Sequence, residues 1–321
     1  MQWIISHLLC LAAGLSLAGA MTASAREGAL GLWVWRPGPQ QDEKQAQELV
    51  DFCKQQGFDT ILLQIHAQPG VTPLALDYTE GIQRLLGMAS KAGLKVEALD
   101  GSSAMVSPES RIANLARMDA ILDFQAKQPE GQGFSAVHYD IEPYTLPQWK
   151  EGIPQARQVA REMLETFSLM RDHLKARNPK MPLKFDIPAW FDTRLDLAID
   201  FAGKTKPISQ HIQDISDEIV IMSYRRKASG PNSVESLAAD EIAYAAKTNK
   251  KVAVALETIA LKTDPQISFY GVPAGEFRDT VLSLFKDLGG QPGFGGVYLH
   301  QYDRLREYLP ETEPLFPPAH E

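Results

Sequence analysis

The chain alternates short apolar runs with longer segments in which apolar and polar positions follow a helical period. Eight apolar runs stand at 30–35, 60–66, 94–100, 136–142, 183–190, 218–224, 252–258 and 296–302. Between them, 42–56, 79–92, 108–127, 154–176, 208–216, 233–248 and 275–288 repeat apolar residues every three or four positions, the spacing that gives a helix one apolar face. Pro108 and Pro154 suit first helical positions, where no N–H is needed. Strand–helix repetition without hairpins predicts a parallel sheet with crossover helices. Eight units in roughly 270 residues fit a closed barrel, an α/β (β/α)8 TIM barrel in a single domain, better than an open doubly wound sheet. No glycine-rich dinucleotide fingerprint follows the first run, which also counts against the open sheet.

A barrel strand points alternate residues inward and toward the helices. Val137, Tyr139 and Ile141 share one parity, whereas His138, Asp140 and Glu142 share the other. Ile61, Leu63 and Ile65 oppose Gln64 and His66; Phe185 and Ile187 oppose Asp186 and Trp190. Ile219 and Ile221 oppose Tyr224, Leu256 opposes Glu257, and Val297 and Leu299 oppose His300 and Tyr302. The helix-facing sets are apolar. Polar groups gather on the inward parity near the C-terminal strand ends, where barrel active sites are built. In the third run Asp100 is placed inward, which leaves Glu97 facing the helices. Burying this many ionisable groups costs free energy unless mutual pairing or function offsets it.

Composition narrows the partners. The 32 Lys and Arg stand against 40 Asp and Glu, a net charge of −8. That balance argues against nucleic acid and against an anionic membrane surface, both of which reward cations. Two cysteines exclude a disulfide framework. Residues 1–25 read as a signal peptide: 4–20 is mostly apolar, and Ala23-Ser24-Ala25 follows, so cleavage is expected before Arg26. The expectation is a secreted or periplasmic protein of 321 − 25 = 296 residues that has no membrane contact after cleavage. It retains one cysteine, Cys53, on an apolar helix face as a buried thiol. The barrel is expected over 26–308 and a loose Pro-rich tail over 309–321.

Asp140-Ile141-Glu142 is the central feature. Residues i and i+2 of a strand project to one face, roughly 6–7 Å apart. Two carboxylates so placed in a low-dielectric pocket titrate apart, one ionised and one able to donate a proton. Glycoside cleavage needs that combination. Phe134-Ser135-Ala136-Val137-His138-Tyr139-Asp140-Ile141-Glu142 resembles the fourth-strand motif D-x-x-D-x-D-x-E of glycoside hydrolase family 18, the chitinase-like barrels. Asp140 and Glu142 match, and Ser135 and His138 replace the first two aspartates. Met222-Ser223-Tyr224-Arg225 keeps the Met and Tyr of the sixth-strand M-x-Y-D, and His300 stands near the position of the usual sugar-floor Trp. The third-strand S-x-G-G is not recognisable. Val137-His138-Tyr139-Asp140-Ile141-Glu142-Pro143-Tyr144 and Leu299-His300-Gln301-Tyr302-Asp303 look more like a group of secreted, chitinase-like bacterial barrels.

The resemblance implies a retaining, substrate-assisted hydrolase of N-acetylhexosamine-containing glycans, with an oligo- or polysaccharide as partner and no cofactor. Glu142 would be the acid/base, Asp140 would orient the acetamide, and Tyr224 would bond its oxygen. Trp35, His66, Asp100, His138, Asp186, Trp190, Glu257, His300 and Tyr302 are the candidate substrate-binding residues. Three rivals stand beside this expectation. One is a catalytically silent sugar-binding barrel. Another is a metal-dependent hydrolase using His66, His138, His300 and nearby carboxylates, although no H-x-H or H-E-x-x-H spacing occurs. The third is a two-carboxylate glycosidase with Glu257 as nucleophile opposite Glu142. The segment 225–233, rich in cations, is expected to form a mobile loop on the rim.

Overall fold

The computed structural model describes residues 26–68, 70–309 and 313–316. The signal peptide expected over residues 1–25 lies outside the described residues. In chain order the elements are β1 (Ala29–Val34), α1 (Gly38–Gln41), α2 (Glu43–Gln56), β2 (Thr60–Gln64), α3 (Thr79–Lys91), β3 (Lys95–Asp100), α4 (Arg111–Gln125), β4 (Ala136–Asp140), α5 (Ile153–Arg177) and β5 (Leu183–Pro188). There follow β6 (Ile199–Phe201), β7 (Lys204–Lys206), α6 (Ile208–Ile215), β8 (Glu218–Met222), α7 (Val234–Thr248), β9 (Lys251–Glu257), α8 (Ala274–Leu288), β10 (Phe294–His300) and α9 (Tyr302–Tyr308). Eight parallel strands close in the order β1-β10-β9-β8-β5-β4-β3-β2, and β6 and β7 form a separate antiparallel pair. This is the expected (β/α)8 barrel.

Local chemistry sets the helix ends. Asp42 accepts the Gln45 N–H and starts α2, and Gly57 stops it in the left-handed conformation at φ 79°. Ser233 and Ser236 bond each other's backbone N–H and start α7. The alternation along the strands then sorts two cores. Leu32, Ile61, Leu63, Val137, Tyr139, Phe185, Ile221, Val254 and Leu299 face the helices in one continuous cluster. Trp33, Leu62, Leu99, Val220, Ala253, Ala255 and Tyr298 fill the barrel, with Trp35 and Tyr224 packed against them.

Three sequence-based expectations are corrected. First, Leu99 lies inside the barrel, so Glu97 shares its inward parity and Asp100 faces the helices. There Asp100 takes a bidentate pair from Arg117 of α4, Nε to Oδ2 at 2.7 Å and Nη2 to Oδ1 at 2.6 Å. Second, β10 ends at His300, and Tyr302 opens α9, buried against Phe52 outside the barrel. Third, the tail is not loose where it is described. Leu315 and Phe316 are fully buried, their N–H groups bond Gln56, and the Phe316 ring packs on Phe285 under the Arg26 guanidinium.

Candidate active site

Four adjacent strands each turn one charged residue into the barrel: Glu97 from β3, His138 from β4, Lys184 from β5 and Glu218 from β8. His138 is fully buried, with Nδ1 2.7 Å from Glu97 Oε2 and Nε2 2.9 Å from Asp186 Oδ1. Lys184 Nζ lies 2.6 Å from Glu97 Oε1 and 3.2 Å from Glu218 Oε2. Burial alone would lower the His138 pKa. The charges and hydrogen bonds of Asp186 and Glu97 outweigh it and raise the value to about 10, so the ring is an imidazolium donating both N–H groups. Burial pushes Glu97 up, but Lys184 and His138 together bring its carboxyl down to about 2. The result is a chain of alternating charge, Glu218–Lys184–Glu97–His138–Asp186, running up the barrel toward β4 and β5. Trp33 Nε1, 3.4 Å from Asp186 Oδ2, extends it.

Asp140 closes that chain at the top, where it is the register partner of Asp186. Burial first, then the charges of Asp186 and Glu142, push its carboxyl well above the ordinary range, against the opposing pull of His138. Its Oδ1 is buried without a hydrogen-bond partner among the described residues. Its surroundings thus favour the protonated carboxyl. Glu142, two residues on, leaves the strand at the turn Pro143–Thr145 and is half-buried. Its Oε1 accepts the Tyr144 hydroxyl. Burial and the Glu142 charge keep the Tyr144 phenol protonated and donating.

Glu142 and Tyr224 line one cleft of about 410 Å³, together with Tyr144, Pro188, Trp190 and Met222. The Trp190 ring is edge-on to Tyr144 at 5.3 Å, which gives the cleft an aromatic wall. Burial, then Glu257 and Asp140, raise the Tyr224 phenol well above its usual pKa, so it remains a neutral donor. Glu257 is buried beside it. Its Oε1 accepts from Thr258 N at 2.7 Å, Ile259 N at 2.9 Å and His300 Nδ1 at 3.0 Å. His300 Nε2 in turn accepts Trp35 Nε1–H at 2.7 Å.

The structure thus brings Glu142, Tyr224 and Trp190 together, with Asp140 packed behind and Asp186 and His138 beneath. Trp35, His300 and Glu257 form a connected group at the mouth. Asp100 and Tyr302 are outside the site, as described above. His66 packs against Tyr78, its Nε2 buried without a partner among the described residues, and does not line the cleft. Sequence reasoning missed Glu97, Lys184, Glu218 and Tyr144. Lys184 shares the parity of Asp186, and Glu218 that of Val220, so the signal for both was present. The imidazolium His138 has no lone pair for a metal, and both His300 nitrogens are engaged. Among the described residues no group of three His, Cys, Asp or Glu is arranged to hold one. The rim segment 225–233 is tied down by Arg225 Nε to Asn232 Oδ1 at 2.9 Å and by Arg226 Nη2 to Pro265 O at 2.9 Å. None of the described helices is long and apolar enough to cross a membrane.

No protein-family model matches the chain, and no curated protein matches its sequence. Its fold is similar to solved glycoside hydrolase barrels. One is the exo-β-1,4-mannosidase Op5Man5 from Opitutaceae bacterium strain TAV5, with a TM-score of 0.53 and 13% identity over 88% of this chain and 54% of that one. Another is a Bacteroides uniformis β-glucuronidase, with a TM-score of 0.56 and 10% identity over 86% of this chain and 30% of that one. A third is the endo-1,4-β-mannanase from Rhizomucor miehei, with a TM-score of 0.55 and 8% identity over 86% of each chain. This chain therefore spans about half of the first protein and less than a third of the second. At identities this low the likeness shows the barrel fold alone, and family 18 is not singled out by it.

Proposed function

We propose that the protein is an exported, retaining glycoside hydrolase that cleaves N-acetylhexosamine-containing glycans with Glu142 as acid/base. The observation that carries this is the shared cleft of Glu142 and Tyr224, with Asp140 buried behind them, its pKa raised by burial and by the neighbouring carboxylates. In the first step the single proton shared by the Asp140–Glu142 pair passes from Glu142 to the glycosidic oxygen as the C1–O bond breaks, leaving both carboxylates ionised. The acetamide carbonyl oxygen of the substrate bonds to C1 and forms a cyclic oxazolinium. Water then adds at C1 as the oxazolinium C1–O bond opens and regenerates the acetamide, and the Glu142 carboxylate takes the water's proton. Tyr224 O–H donates to the acetamide oxygen, and Asp140 accepts the acetamide N–H. Trp190 supplies a face for the ring.

Turnover of a panel of N-acetylhexosamine oligosaccharides, followed by product anomer, tests this. Wild type should release the retained anomer, and Glu142→Gln should lower kcat at least ~1,000-fold with little change in KM, the signature of a group acting only in the transition state. Saturable sugar binding with no turnover of any panel member would leave a silent sugar-binding barrel instead. A second reading rests on Glu257, held by three donors on Oε1 next to Tyr224. A glycosyl adduct trapped on Glu257 and found by mass spectrometry would make Glu257 the nucleophile and displace the substrate-assisted route.

A further inference from the structure

A second cleft of about 470 Å³ adjoins the first, and Arg225 and Ile267 line both. Its wall carries Arg225, Arg226 and Lys227, with Asn232, Gln266 and one carboxylate, Asp264. Three cations against one anion stand out in a chain whose net charge is −8. The carboxylate is turned to its own turn, accepting Gln266 Nε2 at 3.1 Å.

The two guanidinium groups are fixed before any ligand arrives. Arg225 Nε bonds Asn232 Oδ1 at 2.9 Å, and its Nη1 bonds the carbonyl of Tyr224 at 2.7 Å, which leaves Nη2 without a protein partner among the described residues. Arg226 is held by the carbonyls of Ser268 and Pro265. Both therefore bond neutral acceptors, and neither charge is paired with a carboxylate among the described residues. Lys227 is exposed and makes no ion pair among the described residues. Guanidinium groups positioned by the fold lose little freedom when they bind an oxyanion, and they recognise carboxylates through paired N–H donors.

We propose that this cleft is a subsite for an acidic sugar, so that the glycan cleaved at Glu142 carries a carboxylate on the unit next to the N-acetylhexosamine. The proposal rests on the glycosidase reading for the bond that is cut, but the subsite itself is tested by binding. Arg225 follows Tyr224 directly in sequence and lines both clefts, so the anion would sit beside the acetamide site.

The probes are three oligosaccharides: a neutral N-acetylglucosamine tetramer, a hyaluronan tetrasaccharide bearing glucuronate, and the N-acetylglucosamine–N-acetylmuramic acid disaccharide bearing a lactyl carboxylate. Affinities are measured by calorimetry on Glu142→Gln, in 50 mM and 500 mM NaCl. At least one acidic probe should bind ten-fold or more tightly than the neutral one at low salt and lose that advantage at high salt. Whichever acidic probe prevails identifies the source of the carboxylate. Adding Lys227→Ala, or Arg225→Ala with its melting temperature checked, should bring the acidic-to-neutral affinity ratio toward one. Equal or tighter binding of the neutral tetramer, or an acidic affinity indifferent to both substitutions, would overturn the subsite. Acidic binding without turnover by wild type would leave the subsite standing and refute the hydrolase.

Discussion

The buried imidazolium of His138 makes a quantitative demand on stability. Its pKa is about 10 in the folded protein against 6.5 for the free side chain. The folded state therefore binds more protons than the unfolded state between those values. The stabilising contribution is complete below pH 6.5 and is lost as the pH rises through 10. The span of about 3.5 units corresponds to about 5 kcal/mol, of which about 3 kcal/mol falls between pH 6.5 and 9. That is a large part of the 5–15 kcal/mol that holds a typical domain together. Urea unfolding followed by tryptophan fluorescence, on wild type and His138→Gln at half-unit steps of pH, isolates the contribution. Cys53 and Glu241, which also hold protons more tightly in the folded state, titrate in both proteins. The difference in unfolding free energy should shrink by about 3 kcal/mol over that range. If the variant is too unstable to measure, nitrogen-15 histidine spectra of wild type should show His138 doubly protonated at pH 9. A flat difference, or a His138 resonance titrating near 6.5, would refute the charge chain.

Two further outcomes follow from the corrected placements. Phe316→Ala should lower the unfolding free energy by about 3–5 kcal/mol in urea titrations, as removal of a fully buried aromatic does, whereas a loose tail would give less than about 0.5 kcal/mol. Asp100→Asn should cost roughly 1–3 kcal/mol by stripping Arg117 of its charged partner and leave kcat/KM on the best substrate unchanged; a ten-fold fall in kcat/KM in an equally folded variant would return Asp100 to the site.

The barrel was legible because its strands obey a strict period of two and its helices a period near 3.6. Seven of the helices and all eight barrel strands stand where those periods place them. Failures occur where the period carries no preference. The third run offers a carboxylate on each parity, Glu97 and Asp100, and neither side is purely apolar. Only the partners decide between them, Lys184 and His138 inside and Arg117 outside, and those lie 17 to 87 positions away in the chain. Tyr302 continues the inward alternation of the last run, but the backbone leaves the sheet after His300. The tail reads as loose because proline dominates it, yet two apolar side chains were enough to anchor it. Tyr144 was invisible because a hydroxyl on a turn acquires meaning only from where the turn returns it.

Beneath Asp140 the fourth strand carries a fully buried cation, the His138 imidazolium. Asp186 on β5 stands in register with Asp140, and its carboxylate joins burial and Glu142 in raising the pKa of Asp140. Two carboxylates side by side in a barrel interior repel one another, so Asp186 needs a cation of its own. His138 supplies it at 2.9 Å, and Glu97 at 2.7 Å keeps the ring charged. Lys184 then balances Glu97, and Glu218 balances Lys184. A carboxylate placed beside Asp140 is thus balanced by a row of alternating charges across four strands, and the barrel core beneath Asp140 is ionic where most barrel cores are aliphatic.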